Sequence, residues 1–118
     1  MKYILLLSSL LFLLSSCFYD VEEELYKTNC EIDSTSYSID VIPIITNYCI
    51  QCHSDAILLG GISLESHPQV KLYAENGKLL GSIRHDSGFS AMPQGLAKLS
   101  KCDIIKMETW VAAGALNN

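Results

Sequence analysis

Two cysteines and a histidine lie close together near the middle of the chain. Residues 49–53 read C-x-x-C-H, and their reactive members are Cys49, Cys52 and His53. This spacing is the attachment pattern for c-type haem. The two thiols add to the two vinyl groups on one side of the porphyrin, and the histidine that follows offers its imidazole to the iron. The motif therefore predicts one covalently bound haem c, with His53 as an axial ligand.

Paired cysteines have other uses, and two of them compete with this interpretation. A thioredoxin-like thiol pair would lie beside a βαβ pattern, which the sequence lacks. A zinc site would need a second closely spaced pair of ligands, whereas Cys30 and Cys102 are each isolated. A chance match to a five-residue pattern is the third alternative.

The segments that must position this motif have the pattern of short helices. Apolar residues at 41, 42, 44, 45 and 48 predict a helix that ends at Cys49, with Asp40 as N-cap and Pro43 in its first turn. Ser66 is expected to cap a second helix that runs to Tyr73–Ala74, followed by a third, weaker turn of helix over KLLGSIR. Residues 85–95 have a loop composition.

The last helix has the clearest signals, because Ser100 and Asp103 form a capping box and Gly114 follows as a stop. Met107 and Trp110 are expected in the core. With no strand pattern of useful length, the fold class predicted is all-α.

With these elements in place, residues 38–118 resemble the small class I cytochrome c domains, particularly their single-haem lipoprotein type. The likeness covers about 80 residues, and its most specific parts are the C-x-x-C-H motif and the Met-Pro pair. The matching segments are IDVIPIITNYCIQCHS, GGISL, AMPQG and KLSKCDIIKMETWVAAGA. The resemblance implies a few helices wrapped around one haem, with the first and last helices crossing.

The resemblance also implies that the second axial ligand is Met92, because the family uses a loop methionine that proline often follows. A neutral thioether paired with His53 favours Fe(II) and raises the reduction potential. His85 is the main alternative to Met92, because imidazole also binds haem iron. Met107 is expected to pack in the core, and His67 is expected at the surface.

The N-terminus predicts export and a lipid anchor. A lone Lys2 precedes an apolar run from Tyr3 to Leu14, too short to span a membrane comfortably, and residues 1–16 therefore indicate a signal peptide. The sequence LSSC resembles a bacterial lipobox, which implies a lipidated Cys17. Residues 17–37 are acidic and predict a tether, and residues 38–118 form the cytochrome c domain. Phe18 after Cys17 weakly favours the outer membrane, facing the periplasm or cell surface.

The remaining residues bear on partners and stability. Cys30 and Cys102 are candidates for a disulfide, and free thiols are the alternative. Arg84, Tyr48 and Tyr73 are candidates to bind a haem propionate, and Lys98 and Lys101 to steer an acidic redox protein. The net charge of −5 gives no reason to expect nucleic acid.

These features favour an electron carrier that is not itself an enzyme. The alternatives are a haem-bearing accessory subunit of a membrane-side dehydrogenase, and a five-coordinate haem sensor or peroxidase-like protein. The second of these alternatives requires that Met92 does not bind the iron.

Overall fold

The computed structural model describes Cys30 and residues 32–118. The predicted signal peptide at 1–16, the lipidation site Cys17 and most of the predicted tether lie outside the described residues. The described residues are helical, contain no strand and surround a single apolar core. The all-α class predicted from the sequence is confirmed for them. None of their helices combines the length and apolar character needed to cross a membrane.

The first helical segment begins earlier than the sequence suggested. A π-helical turn, Tyr37–Val41, runs directly into α1, Ile42–Tyr48. Ser36 is the N-cap, since its Oγ accepts a hydrogen bond from the Ile39 N–H at 3.1 Å. The prediction that Asp40 is the N-cap was wrong. Asp40 lies inside the turn, where its carboxylate accepts from the Ser36 N–H at 3.0 Å.

Two short helices follow the C-x-x-C-H segment. After a 3₁₀ turn at Leu59–Gly61 come α2, His67–Glu75, and α3, Lys78–Ile83. The N-cap predicted at Ser66 is confirmed. The Gln69 side-chain oxygen completes a capping box by accepting a hydrogen bond from the Ser66 N–H at 3.0 Å. Gly77 separates the two helices at a φ of 77°, a left-handed conformation that glycine adopts without strain.

The last helix, α4, Lys101–Ala112, has the ends that the sequence predicted. Ser100 Oγ accepts from the Asp103 N–H at 3.1 Å and donates to the Asp103 carboxylate at 2.8 Å. Gly114 follows the helix at a φ of 93°. Local signals in the sequence therefore set both ends of this helix.

The core joins the first helical turn to α4. Trp110 is fully buried, and its indole N–H donates to the Leu116 carbonyl at 2.8 Å, which satisfies its one donor. The Tyr37 ring lies 5.5 Å from the Trp110 ring, centroid to centroid. Tyr37 is thus part of the core, although the sequence assigned it to the end of the tether. Met107 is also in the core, as predicted, with 1% of its surface exposed.

A disulfide bond joins Cys30 to Cys102 at the start of α4, with 5.4 Å between the two Cα atoms. The bond ties a residue of the predicted tether to the last helix. Because the two cysteines are 72 positions apart, the cross-link closes a long loop in the unfolded chain.

We expect Cys102→Ser to lower the free energy of unfolding by about 2–4 kcal/mol, because the unfolded chain gains the entropy of an open loop. Denaturant titration measures the change. Cys30→Ser is the matched control and should cost the same amount, while the double variant should cost no more than either. Unequal losses of stability in the two single variants would contradict this role for the bond.

Candidate functional site

A cleft of about 650 Å³ opens between the end of α1, α3 and the loop that precedes α4. Its volume lies within the usual range for small-molecule and cofactor sites. Cys49, Cys52, His53 and Met92 all line it. Most other lining side chains are apolar or aromatic: Tyr48, Leu59, Ile62, Leu64, Tyr73, Leu79, Ile83, Phe89, Pro93, Leu96 and Leu99.

The C-x-x-C-H segment is folded as consecutive tight turns at the end of α1. The Cys49 N–H donates to the Ile45 carbonyl at 2.9 Å, which continues the helix by one residue. The Cys49 carbonyl then accepts from the N–H groups of Cys52, at 3.1 Å, and His53, at 2.9 Å. These bonds bring the two thiols and the imidazole to the same wall of the cleft.

Both thiols of the motif are free, but their surroundings differ. Cys49 is half-buried and Cys52 is exposed. Burial, with a smaller contribution from the nearby Cys52 thiol, raises the pKa of the Cys49 thiol to about 11. Because the thiolate is the reactive form, the folded cleft keeps Cys49 poorly nucleophilic near neutral pH.

His53 is half-buried and has an unpartnered ring nitrogen. Its backbone carbonyl accepts from the Leu64 N–H at 2.8 Å, which fixes the main chain at the cleft wall. Its Nδ1 is buried and makes no hydrogen bond with the described residues. An unpaired buried polar atom costs free energy. Its presence here is typical of a site that the polypeptide alone does not complete.

Met92 lies on the cleft wall because both sides of its peptide backbone are held. Its N–H donates to the Ser82 carbonyl in α3 at 3.0 Å, and its own carbonyl accepts from His85 Nε2 at 3.0 Å. The side chain is half-buried. The thioether is thus presented on the same cleft as His53, although 39 positions separate the two residues.

None of the residues that compete with Met92 lines the cleft. Met107 is packed in the core. His85 is exposed and its Nε2 is engaged by the Met92 carbonyl. The expectation that His67 is a surface residue was wrong. His67 is half-buried, edge-on to Tyr37, and hydrogen-bonded to the Ala115 carbonyl at 2.9 Å.

Lys78 and Phe89 line the cleft, although the sequence did not single them out. Lys78, at the start of α3, is the one lysine or arginine among the lining residues. Phe89 lies against α3 so closely that a Cβ on Gly81 would be 2.6 Å from its ring. An isolated glycine inside a predicted helix is a signal of such close packing and was available in the sequence.

Several residues considered for this site lie elsewhere. Arg84 does not line the cleft. It forms ion pairs with Glu108 of α4 and with Asp86, each at 3.0 Å. Lys98 and Lys101 line a smaller surface depression beside these groups. Tyr48 and Tyr73 do line the main cleft and remain candidates to bind a polar group of a ligand.

The cleft thus combines two free thiols, an imidazole and a thioether with an apolar lining. No family model, curated protein or solved structure matches the chain. The residues themselves fit a large, flat, mostly apolar group that takes covalent links from thiols and two axial ligands from nitrogen and sulfur. His53 and Met92 both line the cleft, and its other lining residues are mostly apolar or aromatic, which agrees with that fit.

Proposed function

We propose that this protein is a c-type cytochrome that binds one haem covalently and transfers single electrons. One observation carries the proposal: Cys49, Cys52, His53 and Met92 line a single cleft of about 650 Å³. Cys49, Cys52 and His53 are close together in the sequence, whereas only the fold brings Met92 to the same cleft. A small helical domain in which the first helical segment contacts the last is consistent with the class I cytochrome c fold.

Each of the four residues has a defined task in this proposal. Cys49 and Cys52 hold the porphyrin through thioether bonds. His53 and Met92 would bind the haem iron. The haem, when bound, would supply one-electron redox chemistry. Because two protein side chains would bind the iron, binding of oxygen or peroxide would be disfavoured and electron transfer favoured.

The other residues of the cleft would shield the haem from water and bind its carboxylates. Leu64, Leu79 and Ile83 are buried side chains on its wall, and they exclude water and lower the local dielectric. Lys78 is placed to pair with a carboxylate at the cleft mouth, and haem carries two propionates. Tyr48 and Tyr73 offer hydroxyl groups for the same purpose.

The proposal includes export and attachment to a bacterial membrane through lipid on Cys17. The order of charge, apolar run, small residues and cysteine in residues 1–17 supports it. The bond between Cys30 and Cys102 also supports an oxidising compartment, since disulfides persist mainly outside the cytoplasm. The partner would be another redox protein, and Lys98 and Lys101 would steer it if its docking face is acidic.

A redox titration of the purified protein, followed by carbon monoxide addition, tests the function. We expect a reversible one-electron transition and no carbon monoxide binding to the reduced protein. Ready binding of carbon monoxide would instead favour the five-coordinate sensor or peroxidase-like alternative. Co-purification with a dehydrogenase would assign the domain as its accessory subunit.

A further inference from the structure

His85 is an exposed residue with an unusual backbone and a specific contact. Its φ is 57°, in the left-handed region that side-chain-bearing residues seldom adopt. Its ring lines neither the core nor the cleft. Even so, its Nε2 lies 3.0 Å from the Met92 carbonyl oxygen. A carbonyl only accepts, so Nε2 carries the hydrogen and donates.

This contact closes a loop that is also hydrogen-bonded to the end of α3. The N–H groups of His85 and Met92 both donate to the Ser82 carbonyl, at 3.2 and 3.0 Å. The Asp86 N–H donates to the Gly81 carbonyl at 2.9 Å. Those bonds fix where the loop starts and where Met92 enters the cleft wall. The carbonyl side of Met92 is held by His85.

We propose that His85 is a positioning residue that fixes Met92 at the cleft by hydrogen-bonding its carbonyl. The inference rests on the proposed function, because it gives Met92 the role of axial ligand. A thioether is a weak neutral ligand, so it competes for iron only when its backbone is restrained. Side chains that orient metal ligands in this way commonly change apparent affinity at the metal by tenfold or more. A single exposed hydrogen bond is expected to contribute less.

The left-handed backbone at His85 offers a way to separate this role from a purely structural one. His85→Gly removes the ring while suiting a φ of 57°, so the turn itself is retained. His85→Gln keeps a donor nitrogen at nearly the same reach from the backbone. Ser87→Gly is the matched control, since it adds a glycine to the same exposed loop without touching the bond to Met92.

The test measures how easily imidazole displaces the sixth ligand in the oxidised, haem-loaded protein. We expect His85→Gly to raise the apparent imidazole affinity roughly three- to tenfold with little change in Tm. His85→Gln should return the affinity most of the way to the wild-type value. Ser87→Gly should have the wild-type affinity. Unchanged affinity in His85→Gly, or an equal rise in Ser87→Gly, overturns the positioning role. Wild-type protein that lacks haem overturns the proposed function. Haem-loaded wild-type protein without methionine ligation overturns the axial assignment and the positioning role with it, so the two failures are distinguishable.

Discussion

Met92→Ala is expected to keep its covalent haem and to lose its sixth iron ligand. In the proposal the thioethers would come from Cys49 and Cys52, which follow α1, so attachment would not depend on the Met92 side chain. Loss of the thioether opens one axial position. We expect the reduced variant to bind nearly one carbon monoxide per haem, whereas the reduced wild type binds a negligible amount. The long-wavelength absorption band of methionine-ligated ferric haem should vanish, and the reduction potential should fall.

Met107→Leu is the matched control for this experiment. Met107 is buried in the core and does not line the cleft, so a side chain of similar volume should cost less than about 1.5 kcal/mol and leave the spectrum unchanged. If Met92→Ala keeps the wild-type spectrum and potential, the axial assignment is wrong. A wild-type spectrum typical of two imidazole ligands would transfer the role to His85.

Cys52→Ala has the second large expected effect. Cys52 is exposed, so removal of its sulfur takes away little packing of its own. We nevertheless expect the variant to lose stable haem attachment and most of its helical structure. The described domain is small, and a haem in its cleft of about 650 Å³, which is lined largely by apolar side chains, would supply a large part of the buried apolar surface. Circular dichroism and a haem stain of a denaturing gel measure the two losses together.

Cys102→Ser provides the contrast for Cys52→Ala, because it also removes one sulfur but not one that lines the cleft. It should retain the haem and lose only the stability due to the disulfide. A folded, helical Cys52→Ala protein without haem would show that the cofactor is not part of the core. Equal haem loss in both variants would show that attachment depends on the disulfide as much as on the Cys52 thiol.

The parts of the fold that could be predicted from sequence are those set by neighbouring residues. The Ser100–Asp103 capping box and the glycine after α4 lie within a few positions of the backbone groups they satisfy, and both were predicted. The start of the first helical segment was not, because Ser36 and Asp40 are both good capping residues. The choice between them depends on Tyr37, which must reach Trp110 in the core.

In the candidate site too, features set by neighbouring residues could be predicted from sequence, and those set by distant contacts could not. The spacing of Cys49, Cys52 and His53 is local and indicates one chemistry directly. The placement of His67 against the Ala115 carbonyl joins residues 48 positions apart, and no local pattern indicates it. The cleft position of Lys78 and the pairing of Arg84 with Glu108 likewise depend on how α3 packs. Sequence alone could not show that Lys78 lines the cleft and that Arg84 pairs with acidic side chains elsewhere.

The central claim is a covalent bond between this polypeptide and one haem, and the mass of the intact protein tests it most directly. The chain would be expressed with a working haem-ligation system, purified from the membrane fraction and denatured before measurement. We expect the mass of the polypeptide after lipidation at Cys17, plus one haem that stays attached in denaturant. A colourless protein with the mass of the lipidated polypeptide alone would contradict the account.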